Sequence, residues 1–148
     1  ISDEGQVVEM SQSAYIQLVQ GSAVESITLD DVLEVLDRYR NQTALTGQQL
    51  NWNYAEMAFP YTIERRSEGE TEWLYLKGNQ PNYKYILIGV GTRQEEDRSV
   101  PYIQIVLPSG SEIGDKSKAN ELCKYIGRLL KAEVRLFNGR VMYFNPRK

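Results

Sequence analysis

Histidine is absent from the 148 residues. Its absence excludes His-based triads, Cys–His nucleophile pairs, HExxH metal sites and the side chain that most often moves protons near neutral pH. Cysteine occurs once, at Cys123, so no internal disulfide can form. No stretch approaches the ~18 consecutive apolar residues that mark a membrane-spanning helix, and no basic leader followed by an apolar run opens the chain. These absences lead us to expect a soluble, cytoplasmic protein without a membrane partner. Strong charge of one sign is missing as well. The net charge is −3, and Asp3, Glu4 and Glu9 account for all of it, so the chain from Met10 onward is neutral overall. Bulk charge therefore says nothing about partners.

What is present is an ordinary globular composition, 41% hydrophobic and 25% charged. Residues 1–9 (ISDEGQVVE) carry no pattern and are expected to be a leader or remnant outside the fold, with residues 10–148 forming a single domain. Charge is unevenly spread: residues 10–114 hold 8 bases and 14 acids, whereas residues 115–148 hold 9 bases and 3 acids. Such a split either steers a charged partner to one end of the molecule or reflects two mutually attractive halves of one domain.

Along the chain, AYIQLV (14–19) alternates as a strand does. Residues 29–45 read as a helix: Thr28 is placed to cap it, Asp30 and Asp31 suit its positive end, and Leu29, Val32, Leu33, Leu36 and Tyr39 recur at helical spacing. Gly47 is the expected stop. Residues 48–59 lack a period and read as a connection held down by Trp52, Tyr54 and Phe59. Strands follow at 60–66, 72–77, 83–90 and 100–107, separated by turn-rich stretches at Ser67–Gly69, Gly78–Asn82 and Gly91–Ser99. A second helix spans 116–131, with an apolar stripe of Ala119, Leu122, Cys123, Ile126, Leu129 and Leu130 and a cap at Asp115 or Ser117. The end reads as a hairpin, 134–137 and 140–144 flanking Asn138-Gly139. The order β-α-β-β-β-β-α-β-β implies an α+β two-layer sandwich, a mostly antiparallel sheet with two main helices on one face.

Most candidate motifs have a plain structural reading. Cys123 sits on the apolar stripe and reads as a core residue. Gly89-Val90-Gly91 lacks the third glycine and following helix of a phosphate loop, and reads as a bend or bulge. Glu95-Glu96-Asp97 is contiguous rather than spaced as calcium ligands must be, so it reads as a solvated loop tip. Asn41-Gln42-Thr43 matches a glycosylation sequon but falls within a helix. No catalytic, metal or cofactor-binding residue emerges.

One pattern stands apart. Successive strand residues point to opposite faces. Leu74/Leu76, Ile86/Ile88, Ile103/Ile105 and Ile16/Leu18 take one face, which leaves Tyr15, Trp73, Tyr75, Tyr83, Tyr85 and Tyr102 on the other. Amphipathic rings of this kind suit protein interfaces and base-stacking platforms, although strand propensity and cross-strand pairing alone also favour them. Lys116, Lys124, Arg128 and Lys131 form a weaker basic patch along the second helix.

The segments AYIQLV (14–19), TGQQLNWNYAEMAFPY (46–61), YKYILIGVG (83–91), YIQIVLP (102–108) and FNGRVMYFNPRK (137–148) resemble an uncharacterised family of small Bacillus-type proteins, known as a domain of unknown function. The resemblance covers nearly everything from Met10 onward. It implies a cytoplasmic α+β protein with a sheet covered by helices, and it carries over no catalytic residue. Three readings of function follow. The first is a non-enzymatic module whose aromatic face binds a protein partner or a second copy of the chain. The second is a single-stranded nucleic-acid or small-ligand binder on the same face. The third is a small enzyme that gathers carboxylates, tyrosines and arginines from separate elements.

Overall fold

A computed structural model describes residues 12–50 and 59–146. The expected leader at 1–9 and the expected anchors Trp52 and Tyr54 lie outside the described residues. Seven strands and two helices follow one another as β1 (Gln12–Gln17), α1 (Leu29–Leu50), β2 (Tyr61–Glu68), β3 (Thr71–Gly78), β4 (Tyr85–Glu95), β5 (Arg98–Leu107), α2 (Ile113–Leu130), β6 (Glu133–Arg135) and β7 (Val141–Tyr143). The strands form one sheet in the order β2-β3-β4-β5-β1-β6-β7. Every pairing in it is antiparallel. The α+β class and the element order are as the sequence implies. The first strand is internal: β1 lies between β5 and β6.

Strand alternation places the core. Ala14, Ile16, Leu74, Leu76, Ile86, Ile88, Ile103, Ile105 and Val134 are wholly buried on one parity. They join Leu29, Val32, Leu36 and Tyr39 of α1 and Ala119, Leu122, Cys123, Ile126 and Leu130 of α2 in one apolar cluster. Phe59 is buried there too, edge-on to Tyr39 at 5.9 Å and to Tyr61 at 5.7 Å. Lys118 is drawn into the helix–helix contact; its ammonium donates to Tyr39 Oη at 2.8 Å and to Glu121 Oε1 at 3.1 Å, and Tyr39 donates to Glu121.

Helix starts depend on paired caps. Thr28 Oγ1 accepts from the Asp31 amide at 3.2 Å, and Asp31 Oδ2 accepts from the Thr28 amide at 3.0 Å. α1 then runs through Gly47 to Leu50, since one glycine costs a helix only about 1 kcal/mol. The cap of α2 is Glu112, upstream of the expected Asp115 or Ser117. Asp115 occupies the third helical position and turns its carboxylate back onto the Glu112 amide at 2.8 Å.

That carboxylate is fully buried and does more than cap. Lys84 N donates to it at 2.8 Å, Tyr85 N at 3.3 Å and Tyr61 Oη at 2.6 Å. One side chain thus joins the start of α2 to the starts of β4 and β2.

The turns correct several expected boundaries. β4 and β5 keep an unbroken register from Leu87↔Val106 to Glu95↔Arg98, so Gly89 and Gly91 produce no bulge and the loop shrinks to Glu96-Asp97. Glu96 takes the left-handed turn conformation, φ 51°, and the three acids are exposed. In the final hairpin Gly139 adopts φ 88°, and Leu136 N donates to Arg140 O at 2.8 Å, which gives a three-residue loop rather than a two-residue one.

Replacing Asp115 by Ala should orphan four donors and lower unfolding free energy by about 3 kcal/mol or more in urea titrations. A loss under about 0.5 kcal/mol would mean that water satisfies those donors as well as the carboxylate does. Tyr61 supplies a pH signature. Burial first, then the bond to Asp115, holds its hydroxyl well above the ordinary phenol range. An unfolded tyrosine ionises near about pH 10, so this stabilisation is complete below that pH and declines as pH rises beyond it. Tyr61→Phe should therefore show a shallower alkaline loss of stability than wild type from about pH 10 upward.

Candidate functional site

The face opposite the apolar cluster carries the aromatic residues, and five of the six expected ones are on it. They form two groups. In the first, the Tyr75 ring of β3 and the Tyr85 ring of β4 meet edge-on at 6.2 Å, and Trp73 follows on the same face of β3, two residues before Tyr75. The Arg66 guanidinium covers Tyr75 at 3.8 Å while bonding to Glu64, and Lys84 Nζ lies 5.5 Å over Tyr85. Tyr85 Oη donates to Ser109 O at 2.6 Å, which fixes that ring. In the second group, Tyr15 of β1 and Tyr102 of β5 are edge-on at 5.6 Å.

Tyr83 is the exception. Its amide donates to Gln80 O inside a turn, so it precedes the strand and escapes the parity assumed for residues 83–90. Its ring instead packs against Tyr61 at 5.7 Å and joins the apolar cluster.

Gly91 explains the second group. A Cβ there would lie 2.5 Å from Tyr102 Oη, so the glycine leaves room for the Tyr102 ring to lie across β4. Gly89 has open space above it and keeps the floor between the two groups flat. The rings themselves are half-buried; Tyr75 and Tyr85 shield each other, as do Tyr15 and Tyr102, and Arg66 covers Tyr75.

Parity also assigns residues that the sequence reading passed over. Tyr143 of β7 pairs with Glu133, which in turn pairs with Gln17; it extends this face and is 52% exposed. Arg135 pairs with Tyr15, and Gln17 is almost fully buried beside it. Alternation in 141–143 and 133–135 would have placed these residues had those short strands been sorted by face. Lys118, at i−4 from Leu122 on the α2 stripe, was legible as an inward lysine in the same way.

The basic patch belongs elsewhere. Lys116, Lys124, Arg128 and Lys131 are exposed. They lie on the outer side of α2, whose inner side packs on the apolar parity of the sheet, so they do not flank the rings. No ion pair among the described residues joins 10–114 to 115–148.

Chemically the face offers rings, guanidinium groups and amides. Among the described residues no three His, Cys, Asp or Glu side chains converge as metal ligands. Burial pushes the Cys123 thiol up to about 12, against a small lowering by Lys124, so it is no nucleophile at neutral pH. No helix among the described residues is long and apolar enough to cross a membrane.

The fold is that of an α+β protein with one seven-stranded antiparallel sheet among the described residues, and the candidate site is the sheet face opposite the apolar cluster. The chain belongs to the family described as Domain of unknown function (DUF1885), whose model matches residues 12–146. It is similar to a crystal structure of a protein of unknown function from Bacillus stearothermophilus, 42% identical, with a TM-score of 0.55 over 83% of this chain and 93% of that one. No curated protein matches the chain.

Cys123 should resist thiol reagents in the native state at pH 8 and react stoichiometrically once the chain is unfolded in guanidinium. Rapid labelling of the native protein would show that α2 opens from the sheet.

Proposed function

We propose that this protein is a non-enzymatic interaction module that binds a protein surface, either a partner or a second copy, through the aromatic face of its sheet. In this reading residues 10–148 form one cytoplasmic, soluble domain, a two-layer sandwich in which the helices back one side of the sheet and leave the other for recognition. The observation that carries it is the separation of the two sheet faces. Leu74, Leu76, Ile86 and Ile88 are wholly buried. From the same strands Trp73, Tyr75 and Tyr85 stay outside the apolar cluster, half-buried, with Arg66 on Tyr75. Rings with one apolar and one wet side, interspersed with arginine, are the composition enriched at interface centres.

The nucleic-acid reading is less favoured. It would use the α2 basic residues beside the rings, and those residues are on the exposed side of α2, away from the stripe that joins the apolar cluster.

The test compares wild type with a Trp73→Ser/Tyr85→Ser variant. Sedimentation velocity reads self-association, and capture from a lysate of the native host, with and without nuclease, reads partner binding. Circular dichroism and urea unfolding establish that the variant is folded. A folded variant that loses the dimer, or loses a nuclease-insensitive captured protein, supports the proposal. Identical behaviour of the two proteins overturns it, and capture abolished by nuclease transfers the face to nucleic acid.

A further inference from the structure

At the end of the sheet face away from Trp73 and Tyr85, Tyr15, Gln17, Thr92, Arg93, Tyr102 and Arg135 line a recess of about 370 Å³. That volume falls within the range of small-molecule sites, roughly 300–1,000 Å³. Its floor holds an anomaly. Gln17 is only 2% exposed, and its Oε1 has no hydrogen-bond partner. The amide cannot cure this by turning over, because its Nε2 donates to Glu133 Oε2 at 3.3 Å and the flipped form would set oxygen against carboxylate. A buried acceptor without a donor is destabilising and calls for an explanation. Across the recess the edge-on Tyr15–Tyr102 pair makes an aromatic wall. Gly91 allows that wall to lie flat on β4.

Two guanidinium groups complete the rim. Arg93 is paired with Glu95. Arg135 is exposed and makes no ion pair among the described residues, which leaves its planar fork available for a carboxylate or phosphate.

We propose that this recess binds a small planar anion, a ring with an N–H donor and a carboxylate or phosphate group. Its anionic group bonds Arg135, its ring packs on Tyr15 and Tyr102, and its N–H donates to Gln17 Oε1. Reaching Oε1 requires the long side chains at the rim to part slightly, which an exposed arginine does readily. The site does not depend on the Trp73–Tyr85 patch.

The test uses defined probes in calorimetry and amide chemical-shift titration at low salt: orotate, uridine 5′-monophosphate, benzoate, uracil and inorganic phosphate. Orotate or uridine 5′-monophosphate should bind at least about tenfold more tightly than benzoate, which lacks the donor, and than uracil or phosphate, which supply one half each. Which of the two binds tells a carboxylate site from a phosphate site. Arg135→Ala, at an exposed position, should weaken binding about tenfold or more with unfolding unchanged. Gln17→Leu should erase the preference for orotate over benzoate, and if that variant fails to fold, Arg135→Ala and the benzoate comparison stand alone. Trp73→Ser/Tyr85→Ser should leave binding intact, which separates this site from the partner surface. Absence of binding by every probe at millimolar concentration overturns the proposal, as does binding insensitive to Arg135.

Discussion

The Asp115 carboxylate is the point from which the rest of the molecule is positioned. It accepts from the Glu112 amide at its own helix start, from the Lys84 and Tyr85 amides where β4 begins, and from the Tyr61 hydroxyl where β2 begins. A buried anion is tolerated only when its lone pairs are satisfied, and these donors do so from three separate parts of the chain. The α2 start therefore has one height and one rotation relative to the sheet. With them, Ala119, Leu122 and Ile126 meet Ile16, Ile103 and Ile105 in the cluster.

The aromatic face inherits this order. Because β4 starts at Tyr85, held by Asp115, Tyr85 faces away from the helices while Ile86 and Ile88 face towards them. A shift of one residue would exchange every side chain between the two faces. The two glycines of β4 then act through absence: Gly91 receives the Tyr102 ring, and Gly89 leaves open space. Arginines finish the surface, with Arg66 stacked on Tyr75 and Arg135 at the Gln17 recess. Two unlike ends result on one sheet, a half-buried aromatic patch and a recess with an unsatisfied acceptor.

No described ion pair joins the acidic and basic parts of the chain, so direct pairing between them does not account for the uneven charge. The described ion pairs are mostly local, such as Glu64–Arg66 and Glu95–Arg93, and Arg65–Asp30 ties β2 to the start of α1. The basic residues of α2 remain on its solvent side. Exposed pairs of this kind contribute little to stability, so the apolar cluster and the Asp115 hub dominate the fold.

Alternation and helical spacing, which act between near neighbours, determined from sequence alone the α+β class, the element order, the apolar parity of the strands and the inward stripe of α2. They also placed Tyr15, Trp73, Tyr75, Tyr85 and Tyr102 on one face, because parity along a continuous strand is a local property. Tyr83 escaped because parity ends where a strand ends, and the turn bond from its amide to Gln80 O is not written in any hydrophobic period. What only tertiary structure decided rests on contacts distant in sequence. The insertion of β1 between β5 and β6 and the donors that Lys84, Tyr85 and Tyr61 bring to Asp115 join residues 30 or more positions apart, the Tyr102 ring meets Gly91 only through the β4–β5 register, and the Gln17 oxygen is orphaned by what packs around it. Local patterning sets which way a side chain points, whereas pairing energy and packing set what it finds there.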